Sequence, residues 1–169
     1  MRNWWLTIKG QFGGKGKLEA LADITLFARI FLFAASVPAL LRFNIPQLQW
    51  VLEPGNLPPF ADPKRVQKIT ACVNVMLNAN MPFIRPGCLT RGITLYYFLK
   101  RSGLNLKLSF GLGEIEGRYV GHCWLVRDGA PYLESRDPRP VFAEVFSIPL
   151  SRPVAGRYLE KGFRRMRHR

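Results

Sequence analysis

Residues 18 to 42, LEALADITLFARIFLFAASVPALLR, read as a helix that is apolar along most of its length, interrupted by Asp23 and Arg29. Its longest uncharged run, Ile30 to Leu41, is 12 residues, short of the ~20 that a bilayer-spanning helix needs. Pro38 should kink or end it. Two readings stay open: a helix buried in the core, or one lying in a membrane interface or docked on a partner. Residues 45 to 62, IPQLQWVLEPGNLPPFAD, are proline-rich and read as a linker. A helix start follows, with Asp62 as N-cap and Pro63 in the first helical position. Val66, Ile69, Val73, Met76 and Leu77 recur at helical spacing, which predicts one buried face to about Asn80 and places Cys72 in packing. After a loop over 81–87, a second stripe of Leu89, Ile93, Tyr96, Tyr97 and Leu99 predicts a helix from Cys88 to Arg101. Lys100 and Arg101 sit in its last turn and Gly103 ends it.

Beyond Gly103 the period changes to two. Leu104, Leu106, Leu108, Phe110 and Leu112 alternate with Asn105, Lys107, Ser109 and Gly111, a half-buried strand. The polar stretch GEIEGR connects it to a second strand over 119–127, YVGHCWLVR. Asp128-Gly129 marks a hairpin turn, and Pro131 to Ser135 is the returning strand. Helices followed by antiparallel strands give an α+β layout.

The chain has 169 residues, of which 48% are hydrophobic and 12% aromatic. That suits one packed domain with a small extra element and excludes disorder. The net charge of +14 points to an acidic peptide, an anionic membrane or nucleic acid as partner. No aromatic-and-basic strand motif and no zinc-finger spacing occurs, so nucleic acid is not the expected one. The last stretch, RYLEKGFRRMRHR, reads first as a solvated basic tail. Cys72, Cys88 and Cys123 are an odd number of cysteines, and the first residues do not resemble a cleavable signal, so reduced thiols in a cytosolic protein are expected.

Cys88, in RPGCLTRG, is either a small buried hydrophobe or a reactive thiol at a helix start. Free N–H groups at a helix N-terminus favour a thiolate and can donate to an oxyanion. Of the two histidines, His168 lies in the basic tail with no orienting partner. His122 lies on a predicted strand, where a satisfied core histidine is the plainer reading. A cysteine–histidine pair also needs a group to orient the imidazole. The hairpin offers one in either of two registers. A two-residue Asp128-Gly129 turn pairs Arg127 with Ala130 and sets His122 opposite Ser135. A three-residue loop with a glycine bulge pairs Val126 with Ala130 and sets His122 opposite Glu134. We expect the second, with Cys123 turned to the other face and serving packing alone. Asn78 and Asn80 are the nearest amides for a second oxyanion donor, without a basis for choosing either.

These residues carry a resemblance. RPGCLTRGITLYYFLKRSG, an alternating strand ending in GLG, and GHCWLVRDGAPYLE resemble the transglutaminase-like core of the lasso-peptide leader peptidases, the "B" maturation proteins of microcin-type clusters. The family pattern is a Cys-Leu-x-Arg helix start, an Ala-His-Ala-Trp-type strand, an Asp-Gly turn and an acidic residue 12 positions after the histidine. Cys88-Leu89-Thr90-Arg91 matches the first. Gly121-His122-Cys123-Trp124 matches the second, with glycine and cysteine in place of the alanines. Glu134 stands where aspartate is common. The resemblance covers roughly residues 60 to 150.

What it implies is a papain/transglutaminase-like α+β core, a central helix on an antiparallel sheet, preceded by a helical N-terminal segment. The expected boundaries are a helical region over 1–60, the core over 61–155 and the basic tail over 156–169. It also implies a bacterial cysteine protease with Cys88 as nucleophile, His122 as base and Glu134 as orienting acid. Its substrate is the leader segment of a ribosomally made precursor, bound with a separate small recognition protein, and a macrocyclase acts next. The cytoplasm, with contact at the inner membrane through 18–42, is the expected location. No metal site and no cofactor is expected: the family's association with ATP finds no motif here, since neither FGGKGK nor GLGEIEG has phosphate-loop spacing. Transamidation by the same triad, or a non-catalytic binding scaffold at a membrane, are the alternatives.

Overall fold

The computed structural model describes residues 17–150 except 57, 80 and 82, with the side chains of 17–20 also left out; the basic stretch 156–169, His168 and Asn80 lie outside the described residues. The element order is α1 (Lys17–Leu40), α2 (Ile45–Leu52), α3 (Pro63–Asn78), α4 (Cys88–Lys100), β1 (Lys107–Ile115), β2 (Arg118–Arg127), β3 (Ala130–Tyr132) and β4 (Ala143–Ile148). The strands form one antiparallel sheet in the order β3-β2-β1-β4. The fold is α+β, as the change of period at Gly103 predicts.

Helix α4 is the centre of the molecule. Ile93, Leu95, Tyr96 and Leu99 are fully buried, because α1 and α3 pack on it from one side and the sheet from the other. α1 contributes Ile30, Ala34 and Val37, all fully buried, at the four- and three-residue spacing of one helix face. Phe33 stacks on Tyr97 with ring centroids 4.0 Å apart. Each such side chain adds roughly 1.5–3 kcal/mol over leaving it in water. Asp23, only 2% exposed, is held there by Lys68 of α3, 2.7 Å away. Pro38 falls inside the last turn of α1, which ends two residues later. By length and composition alone Leu21–Leu40 is a helix that could cross a membrane.

The segment expected as a linker begins with a helix instead. Asn44 and Gln47 form a reciprocal capping box, and Pro46 lies in the first turn, where a missing N–H costs little. The C-terminal carbonyls of α2 then take up the cations at the end of α4. Arg101 donates to the carbonyl of Leu52 at 2.8 Å and of Val51 at 3.3 Å. Lys100, buried, pairs with Glu53 at 3.1 Å, and the Tyr96 hydroxyl donates to the same carboxylate. Burial, with the hydrogen bond to Glu53 second, pushes the Tyr96 phenol well above its ordinary range.

In the sheet, both long-strand hairpins turn on two residues. Glu116-Gly117 and Asp128-Gly129 each have positive φ at both positions, the mirror-image turn that matches strand twist. Arg127 therefore pairs with Ala130, and the expected three-residue loop is not what forms: Asp128 accepts the left-handed conformation, so no bulge is needed. β3 also ends at Tyr132 rather than Ser135. From there residues 133–142 cross from one edge of the sheet to the other. They cover the face opposite α4, which is why β1 is buried on both sides at Ser109, Phe110 and Gly111 instead of half-exposed. A Cβ at Gly111 would stand 2.8 Å from both the Ala143 carbonyl and the Trp124 ring. Against the other face, a Cβ at Gly92 of α4 would lie 2.7 Å from the Cys123 Sγ and 3.3 Å from Leu108.

Candidate active site

Cys88 is the first residue of α4. Gly87, its N-cap, offers no side chain to the first-turn amides. His122 and Cys123 lie on β2, where β3 covers only Leu125, Val126 and Arg127. Past that point the edge of β2 is left to the start of α4 and the start of the crossing segment. Cys88, Arg91, His122, Cys123, Glu134 and Ser135 line one cavity there, about 320 Å³ in volume. The structure thus brings together all three residues the sequence proposes for chemistry, Cys88, His122 and Glu134.

Strand alternation holds for His122 and Cys123, with an outcome the sequence reading missed. His122 shares its face with Trp124 and with Phe142 of the crossing segment, whose ring centroids lie 6.0 and 4.9 Å from its own. These flat apolar neighbours limit how the imidazole can turn. Cys123 faces α4, and there it does more than pack. Its thiol donates to the Cys88 carbonyl at 3.0 Å and stands beside the Cys88 sulfur. The signal was available in principle: if His122 points away from α4, the next residue must point at it.

Glu134 reaches His122 by a route that register does not give. With Arg127 opposite Ala130, His122 should have faced Ser135. The chain leaves the strand at Leu133, whose φ of +60° is left-handed, and this swings Glu134 back over β2. A non-glycine residue in that region costs about 1 kcal/mol or more, so something must hold it. Arg91 does, donating one guanidinium nitrogen to the Leu133 carbonyl and another to Glu134 Oε1 at 2.8 Å. The second carboxylate oxygen, Oε2, lies 3.6 Å from His122 Nε2, slightly beyond a direct hydrogen bond. Arg91 is one helical turn from Cys88, on the same side of α4; the sequence places it in the motif without revealing what it holds.

The electrostatics favour a thiolate at Cys88. Its thiol is brought from an ordinary 9.0 down to about 5. The largest cause is the Cys123 S–H donated to it. Burial opposes this, and the Cys123 backbone N–H and then the hydrogen bond and charge of His122 support it. Cys123 moves the opposite way, because ionising it would lose that hydrogen bond in a buried place beside Cys88 and Glu134. One proton is thus held on Cys123 and the negative charge on Cys88. Asn78 closes α3 and does not line the cavity, and Asn80 lies outside the described residues, so neither amide is placed as a second oxyanion donor.

Residues 33–147 match a family described as the transglutaminase-like superfamily. The match takes in the last third of α1, all of α2 and everything to the end of the sheet but one residue. No curated protein and no solved structure matches.

Proposed function

The chain belongs to the transglutaminase-like superfamily, and from that premise we propose that it is a cysteine peptidase that removes the leader from a ribosomally synthesised precursor in lasso-peptide biosynthesis. Superfamily members include cysteine proteases and acyltransferases; the choice of a peptidase rests on the motifs around Cys88, His122 and Glu134. The single observation that carries a catalytic reading is the convergence of a thiol at an uncapped helix start, an imidazole and a carboxylate on one cavity.

The steps follow from that arrangement. The Cys88 thiolate adds to the scissile carbonyl carbon, and the oxygen that becomes negative is met by the Cys88 N–H at the start of α4. As the C–N bond breaks, protonated His122 gives its proton to the departing amine, leaving a Cys88 thioester. Water then attacks the thioester while His122 takes its proton, and the C–S bond breaks to return the thiolate. Glu134, fixed by Arg91, stands 3.6 Å from the imidazole's Nε2, where its charge orients the ring. No cofactor takes part. The net charge of +14 suits an acidic leader delivered by a separate recognition protein, and the freed core passes to a macrocyclase.

Mass spectrometry of a precursor-like peptide tests this. The wild type should release leader and core as two hydrolysed fragments, and Cys88→Ala should release none. Release by Cys88→Ala would end the catalytic reading. An alkylamine adduct on the leader's new C-terminus in place of a free acid would assign transamidation instead.

The same reading puts the protein in the cytoplasm with contact at a membrane surface. Leu21, Ile24 and Leu32 leave an exposed apolar stripe on α1, 58%, 63% and 68% accessible, on a strongly cationic chain. Co-sedimentation with vesicles containing anionic lipid should therefore exceed that with neutral ones and fall several-fold in Leu32→Asp. Equal binding by the variant would place α1 elsewhere.

A further inference from the structure

A larger cavity adjoins the one that holds Cys88. It is about 520 Å³, lies between α3 and the β2–β3 hairpin, and shares Leu133 as a wall with the cavity of Cys88. Its α3 side is a single helical stripe that includes Val66, Thr70 and Asn74, and Tyr132 stands on the hairpin side. Arg127, whose guanidinium lies 5.6 Å from the Tyr132 ring, also lines it. The surface is mostly apolar, with an amide at Asn74 and a cation at Arg127 toward solvent.

We propose that this groove is the specificity subsite of the peptidase: it takes an apolar side chain of the peptide substrate, within two residues of the scissile bond. The inference rests on the peptidase reading above and adds to it the chemistry of the bound segment. Continuity argues for this occupant. A carbonyl placed at Cys88 sits in the smaller cavity, an extended peptide advances about 3.3 Å per residue, and Leu133 is a wall of both spaces. An apolar side chain would be removed from water against Val66, Tyr132 and Leu133. Asn74 can hydrogen-bond the substrate backbone, and Arg127 favours an acidic residue further along. None of the groove's α3 residues lines the cavity of Cys88, His122 and Glu134, so the groove can be altered without replacing a reacting group.

The test uses the full chain, a mixed peptide library and iodoacetamide. Mass spectrometry of the cut library should show enrichment of Leu, Ile, Phe or Met at one position within two residues of the cleavage site. Thr70→Trp, which fills the groove, should erase that enrichment and lower kcat/KM for the preferred peptides by about tenfold or more. Asn74→Trp, at an exposed position where folding is not at risk, should do the same in smaller measure. Iodoacetamide should alkylate Cys88 at the wild-type rate in both variants. Cleavage with no apolar preference, or a preference unchanged in both variants, would overturn the subsite and leave the peptidase standing. A library left uncut by wild type whose Cys88 alkylates normally would overturn both.

Discussion

Replacing His122 with alanine is expected to lower kcat/KM for peptide cleavage by about 10²- to 10⁴-fold, while a nitrophenyl ester of the same acyl group loses far less. The difference follows from what each leaving group needs. A peptide amine must receive a proton as it departs, and His122, beside Glu134 and flanked by Trp124 and Phe142, is the group in the cavity positioned to give it. A nitrophenolate leaves unaided. The thiolate itself survives the change, because its largest support is Cys123 and not the imidazole. Steady-state rates on the two substrates decide the matter: equal losses on amide and ester would mean that His122 is not the proton donor.

The second large effect concerns Cys123. In the wild type, alkylation of Cys88 should rise with pH through a midpoint near 5 and be flat above it, since thiolate is the reacting form and its fraction increases as the proton is lost. One unit above the midpoint there are about ten thiolates for each thiol. Cys123→Ala removes both the S–H donor and part of the burial around the sulfur. The donor outweighs burial, so the midpoint should move up, and alkylation at pH 6 should slow accordingly. Cys123→Ser, which keeps a donor, should recover part of the shift. His122→Ala should move the midpoint less than Cys123→Ala does. A Cys123→Ala profile that superimposes on the wild type would show that Cys123 only packs.

These two variants also mark where the sequence was legible. The helical stripes of α3 and α4 and the switch to alternation after Gly103 are local patterns, and they predict elements correctly because burial on one face is what makes them. The same local chemistry marks Cys88 at a helix start. What sequence spacing does not contain is the path between elements. Glu134 was selected on a register that does not form, yet it lies beside His122, because a left-handed Leu133 held by Arg91 replaces the bulge that counting required. Cys123 was set aside as packing because its parity opposes that of His122, when the helix carrying Cys88 lies on the very face it points to. The proline-rich stretch hid α2, since four prolines and a short apolar run look like a linker until the Asn44–Gln47 capping box is seen. Lys100 and Arg101 were placed at their own helix terminus, while their firmest partners, Glu53 and the carbonyls of α2, lie some fifty residues upstream.

The missing side chain at Gly92 has a consequence for how such a protein can change. Gly92 stands one turn along α4 from Cys88, where the helix lies so near β2 that even a methyl group would meet the Cys123 sulfur. The spacing between the helix that carries the sulfur and the strand that carries the imidazole is thus gauged by a hydrogen atom that belongs to neither group. Any larger residue there acts as a wedge with its fulcrum in the core. It would tip the nucleophile away from its base, so an evolving lineage could retune, or silence, the chemistry here without touching a reacting group.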